Sequence, residues 1–142
     1  MLYPQKPKDY ITELEVVASI IECDWEVLLL QQAPHKNSPG KWLEPGWKLD
    51  VWETPEQAMI RETFEETWIQ IKQWEAKLLF KKYFHYLEMN IAIEFYYICL
   101  DSKPQVTICN EHSNSIWVTP KDALKMDLVE DFDEILKEIY SL

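Results

Sequence analysis

The chain has 142 residues, enough for one domain (1–142) with a sizeable core, and its 47% hydrophobic and 27% charged residues exclude a disordered or fibrous protein. A formal net charge of −11 argues against any grip on a nucleic-acid polymer, because that affinity comes mainly from Lys and Arg; a polyanionic small ligand would need divalent cations beside it. No apolar run approaches the roughly 20 residues that span a bilayer, and MLYPQKPKDY lacks the apolar centre of a signal peptide, so the expectation is a cytoplasmic protein without a membrane partner.

ELEVVASIIEC and EVLLLQQ, rich in β-branched and aliphatic residues, predict two strands joined by a tight hairpin at Asp24-Trp25, where Asp-Gly would be the expected turn. Residues 33–53, with Pro39, Gly40, Pro45 and Gly46, form a long loop of the kind that often carries function. A helix then starts at an unusually complete signal: Thr54 as N-cap, Pro55 at the first helical position and Gln57 closing a capping box. It is expected to run to about Thr67.

Strands follow at AKLLFKKYF and NIAIEFYYICL, then shorter ones at QVTIC and SIWV. Thr119-Pro120 opens a short helix, and LVEDFDEILKEIYSL predicts a terminal amphipathic helix with Leu128, Phe132, Leu136 and Tyr140 along one face. Strands and helices mix without strict alternation, which points to an α/β fold: a mixed sheet with helices on both sides. Cys23, Cys99 and Cys109 are odd in number and form no CxxC pair, so they read as reduced core or strand residues. His35, His85 and His112 share no ligand spacing and receive no role.

In the first long helix, Glu62, Glu65 and Glu66 fall within an arc of roughly 100°, with Ile60 and Phe64 opposite as the expected core anchor. Like charges four apart cost a few tenths of a kcal/mol per pair, a penalty that a divalent cation reverses. Mg²⁺ prefers oxygen ligands and keeps several waters, so carboxylates around a loop carbonyl suit it.

This segment resembles the Nudix box, G-x5-E-x7-R-E-U-x-E-E-x-G-U, with Glu53, Arg61, Glu62, Glu65, Glu66 and Ile69 in register and Thr63 departing at the first aliphatic position. The resemblance implies a Nudix-like α/β/α sandwich that hydrolyses a nucleoside diphosphate linked to another moiety. It further implies Mg²⁺, or Mn²⁺, held by Glu62, Glu65 and Glu66 with the Gly46 carbonyl, and a Glu53–Arg61 pair that orients the ligand helix. Glu111, six residues before Trp117, is similar to the general base of MutT-type members; Lys48 is the candidate phosphate contact. Phe84 or Tyr96 could stack on a base, and Asp131 and Asp133 could meet its edge. The expected reaction is cleavage of a nucleoside triphosphate to monophosphate and pyrophosphate by a monomer or homodimer. ADP-ribose or nucleotide-sugar hydrolysis is the alternative within enzymes. An inactive nucleotide-binding module and a metal-free acidic interaction domain are the alternatives outside them.

The family pattern has Gly at 47 and 68, and commonly at 52, where this chain has Trp47, Trp68 and Trp52; Trp25 repeats the exchange in the hairpin turn. Drift would scatter such departures over many residue types. A single opal codon, decoded as glycine by the source organism and written here as tryptophan, accounts for all four. Deliberate engineering is the other explanation.

Overall fold

Leu14–Cys23 forms the strand β2 around which the sheet is organised. From Val16 to Cys23 every residue is buried, the pattern of a strand covered on both faces. The computed structural model describes residues 1–142. In it β2 runs parallel to β6 (Met89–Cys99), in register from Leu14↔Ile91 to Glu22↔Cys99. β6 turns back into β5 (Ala76–Tyr86) as an antiparallel hairpin through Leu87 and Glu88, both at positive φ. β5 in turn holds β1 (Leu2–Tyr3) at the sheet edge, a short pairing with no periodic signal in the sequence.

On its other side β2 meets β3 (Glu26–Gln32) through Asp24 and Trp25, at φ 51° and 65°. Two successive positive-φ residues make the type I′ turn that suits a two-residue hairpin. The pairing stops at once, with only Glu22↔Val27 and Cys23↔Glu26 in register. β3 continues along β7 (His112–Val118) on one edge and β4 (Trp42–Leu43) on the other. Beyond the hairpin, β2 and β3 therefore part, and the chain after β4 fills the gap. Ser19 N donates to Pro45 O at 2.8 Å, Val17 N to Trp47 O at 3.1 Å, and Leu49 N to Glu15 O at 3.1 Å.

Two apolar clusters lie on opposite faces. Ala58 and Met59 of helix α1 (Pro55–Thr67) close one, with Val17, Ile21 and Ile98. Phe132, Ile135 and Leu136 of α3 (Phe132–Tyr140) close the other, with Ala123 of the short α2 (Pro120–Ala123), Val16 and Phe95. The expected α/β/α sandwich around a mixed sheet is the observed one.

Three expectations need correction. QVTIC is not a strand: its Thr107 N reaches Thr67 O at 3.0 Å, a bond to the end of α1 rather than to the sheet. The last helix starts at Phe132, because Asp131 takes a left-handed φ of 66° and breaks the helical path from Leu128. Ile60 packs half-buried against the α1-side cluster, but Phe64 is 39% exposed, stacked on Trp68 with ring centroids 5.6 Å apart. Instead α1 turns Ala58, Met59, Thr63, Glu66 and Thr67 inward, and these mostly small groups let it lie close to β2.

The tryptophans separate into two kinds. Trp25 and Trp68 both adopt φ 65°, whereas Trp47 and Trp52 do not need a left-handed backbone. The cost of a left-handed backbone therefore falls on Trp25 and Trp68 alone among the four.

Candidate active site

The site begins with the start of α1. Thr54 Oγ1 accepts from Gln57 N at 3.2 Å and Gln57 Oε1 accepts from Thr54 N at 3.0 Å, the reciprocal box that fixes where the helix starts. Glu53, just before that cap, receives Arg61 from about two turns further on. Arg61 Nε and one Nη each donate to a different Glu53 oxygen at 2.7 Å. The Glu53 side chain is only 6% exposed, and this two-pronged bond holds its carboxyl below the usual range. The other Arg61 Nη donates to Glu62 at 2.8 Å and Glu65 at 3.1 Å. Burial lifts the Glu62 carboxyl, and Arg61 pulls it back.

Glu66 is the deepest acid of the helix, 5% exposed. Its Oε1 accepts from Gly46 N at 2.9 Å, tying α1 to the loop that fills the β2–β3 gap. Gly46 can be nothing else: at φ 140° an added Cβ would lie 2.1 Å from Val17 O. Burial raises the Glu66 carboxyl well above normal; its bond to Gly46 opposes this, and the charges of Glu62, Glu111 and Glu44 add to it. No lysine or arginine pairs with it.

Thr63, the residue that departs from the aliphatic pattern, is fully buried, and its hydroxyl meets Ser19 Oγ of β2 at 2.8 Å.

Two residues with no assigned role also belong here. His112 is buried at the start of β7, with Nε2 3.6 Å from Glu66 Oε2 and Nδ1 3.7 Å from Cys109 Sγ. Burial lowers its pKa against the pull of Glu111. Glu44 is the second: its Oε2 is buried without a hydrogen-bond partner, and burial pushes the carboxyl up to about 7. The sequence offers no signal for either, since each matters only through a distant neighbour.

Glu111 is exposed and lies 3.9 Å from Lys36 Nζ, yet near enough for its charge to lift both Glu62 and Glu66. Lys48 also faces solvent, and its backbone bridges to Val16. Glu53, Arg61, Glu62, Glu65, Glu66 and Gly46 thus form one connected patch with Glu111 at its rim.

This donor set is of the kind a hard divalent cation takes, although no three of its acids are gathered at one point while Arg61 holds Glu62 and Glu65. It is all carboxylate and carbonyl oxygen, and Glu66 sits buried among three further acids with no Lys or Arg to balance it.

Beside the patch opens an apolar cavity of about 120 Å³ between the sheet and α3, walled by Ile91, Phe84, Phe95 and Phe132 and floored near the patch by Glu44 and Gly46. Phe84 therefore lies where a base could stack. Tyr96 is on the opposite face, packed near α1 with its hydroxyl on Glu94 at 3.0 Å. Asp131 lines the cavity and accepts from Leu2 N at 2.6 Å, whereas Asp133 turns to Lys137 at 3.3 Å.

The NUDIX domain model matches residues 13–139. The CTP pyrophosphohydrolase of Escherichia coli is 25% identical over 125 residues, covering 81% of this chain and 82% of that protein. Among solved structures, a MutT protein from Methanosarcina mazei superposes with a TM-score of 0.78 at 23% identity, over 88% of this chain and 91% of that one. The NUDIX domain of Shewanella oneidensis NrtR, complexed with ADP ribose, superposes with a TM-score of 0.77 at 22% identity, over 97% and 93%. No helix here is long and apolar enough to cross a membrane.

Proposed function

Since this chain belongs to the NUDIX family and is a hydrolase acting on the pyrophosphate bonds of nucleoside diphosphate derivatives, we propose that it converts a nucleoside triphosphate to monophosphate and pyrophosphate. Residues 1–142 act as one cytoplasmic domain, as monomer or homodimer, with Mg²⁺ or in its place Mn²⁺. The observation that carries the reading is Glu66: a buried carboxyl fixed to the Gly46 amide, ringed by acids and lacking a basic partner. The relative that acts on CTP favours a triphosphate.

Glu62, Glu65 and Glu66 with the Gly46 carbonyl would hold the ion. When bound, it neutralises phosphate oxygens and makes water a better nucleophile. The remaining work belongs to the protein. Arg61, anchored on Glu53, sets the side-chain directions of Glu62 and Glu65. Glu111, at the rim, takes a proton from the attacking water. Lys48 meets the phosphates from solvent, and the apolar cavity takes the nucleobase against Phe84. The P–O bond between the α and β phosphates breaks and pyrophosphate leaves.

A second reading, hydrolysis of ADP-ribose, is favoured by the likeness to the ADP-ribose-bound NrtR domain. One product assay separates the two. Across a panel of nucleoside triphosphates and diphosphate sugars, Mg²⁺-dependent pyrophosphate release from triphosphates is expected. Monophosphate products from ADP-ribose, with no pyrophosphate from any triphosphate, would overturn the first reading.

A further inference from the structure

A triphosphate brings several negative charges to a patch that is itself acidic, and few side-chain cations stand ready to meet them. The N–H groups of Arg61 are all taken: Nε and one Nη bond Glu53, the other Nη bonds Glu62 and Glu65, and the Lys48 carbonyl receives the last at 3.4 Å. Lys41 is bonded to Asp127 at 2.8 Å. Lys36 Nζ, by contrast, stands 3.9 Å from Glu111 Oε2, too far for a hydrogen bond. The ammonium is thus drawn to the rim of the patch with its donors free. Its charge also acts further in, on the buried His112 beside Glu66.

The loop that carries Lys36 is tied down on both sides. Ala33 N donates to Glu111 O at 3.0 Å, and Lys36 N to Ala33 O at 3.1 Å. Ser38 N donates to Gln32 Oε1 at 2.8 Å, and the Ser38 hydroxyl meets Tyr86 OH at 2.8 Å. Between these ties Asn37 lines the cavity given to the base, while Lys36 reaches the rim of the patch given to the phosphates. One short loop thus borders both ends of a bound nucleotide. Resting on that assignment of patch and cavity, we propose that Lys36 is a specificity-determining residue: its ammonium leaves Glu111 for the outer phosphates of the substrate and selects triphosphates over nucleotides that lack them.

The exchange follows from charge. Glu111 offers Lys36 a single carboxylate, exposed and without a hydrogen bond, an attachment that contributes little in water. The β and γ phosphates of a triphosphate offer more negative charge and several oxygens, which the donors of a flexible ammonium can bond. A monophosphate has no outer phosphate for Lys36 to reach. In ADP-ribose the second phosphate is esterified to a sugar and no third follows, so it offers less than a triphosphate does.

Equilibrium binding in Mg²⁺ tests this with CMP, ADP-ribose and the α,β-methylene analogue of CTP, whose α–β link resists hydrolysis. Lys36→Met should weaken the triphosphate analogue about ten-fold and CMP less than about two-fold, with ADP-ribose between them. Lys36→Arg, which keeps the charge, should restore most of the loss. With cleavable CTP the loss should appear chiefly in KM. An unchanged affinity for the analogue in Lys36→Met overturns the proposal. So does an equal loss for CMP and the analogue, which marks damage to the loop, or a loss that Lys36→Arg leaves as large. The binding arm needs no turnover. Hydrolysis of ADP-ribose without any triphosphate cleavage would defeat the reaction assignment alone, whereas CTP cleavage and analogue binding unaltered in Lys36→Met would defeat the Lys36 assignment alone.

Discussion

The hydroxyls of Ser19 on β2 and Thr63 on α1 meet at 2.8 Å in a seam that solvent does not reach. An aliphatic residue is expected at position 63, and the polar exception survives because a second polar residue, 44 positions away, faces it. Thr63→Val should cost about 1–2 kcal/mol, because it leaves the Ser19 hydroxyl buried and unpaired. The double variant Ser19→Ala/Thr63→Val should recover most of that loss. Urea denaturation of the four corners of this cycle checks it, and additive costs would mean that the two hydroxyls do not interact.

Arg61→Met should remove about 3 kcal/mol, since it strands the buried Glu53 carboxylate. Arg61→Lys should recover only part, for lysine cannot bond both Glu53 oxygens in parallel. The Glu53 carboxyl is held below its ordinary value, first by its bond to Arg61. The stability it contributes is therefore present above its unfolded value, near pH 4.5, and is lost as pH falls through the depressed folded value. A pH series of unfolding midpoints for wild type and Glu53→Gln should converge only in strong acid.

Glu44 and Glu66 titrate in the opposite sense. Burial raises both, Glu44 to about 7. Their folded forms favour the proton, so stability is full below about pH 4.5 and declines as pH rises toward 7, by about 3 kcal/mol for Glu44 alone. Metal-free protein should show a melting temperature that falls across this window. Glu44→Gln should flatten the fall, and millimolar Mg²⁺ should raise the neutral-pH value in wild type but not in Glu66→Gln.

Trp25→Gly and Trp68→Gly should each stabilise the protein by about 1–2 kcal/mol, because both residues sit at φ 65°. Trp47→Gly and Trp52→Gly should change stability far less. If one codon is decoded two ways, peptides of the protein from its source organism will carry glycine at all four positions by mass spectrometry.

The parts legible in the sequence were those decided within a few residues. The Thr54-Pro55-Gln57 start of α1 is a local hydrogen-bond circuit and emerges as drawn. The register of Glu53 with Arg61 is likewise a matter of helical turns. Periodicity fails where distance between elements decides. It places Phe64 in the core, but α1 lies too close to β2 for a large ring and buries Thr63 instead. β-propensity alone makes a strand of QVTIC, whose Thr107 amide bonds the end of α1 and not the sheet. His112 and Glu44 carry no local mark, because one acquires its meaning from Glu66 and the other from a cavity walled by α3 and the far strands.

The parting of β2 and β3 has a kinetic consequence. The amides of Val17 and Ser19 lie in the middle of the most buried strand, yet their acceptors are the carbonyls of Trp47 and Pro45 in the inserted loop. Their exchange with deuterium reports the loop rather than the sheet. While the loop stays seated they should be as slow as any strand amide. If it lifts to admit or release a nucleotide, these two should quicken while the Ile91–Cys99 amides keep their protection. Two protons in the protein's centre thus time the opening of its surface.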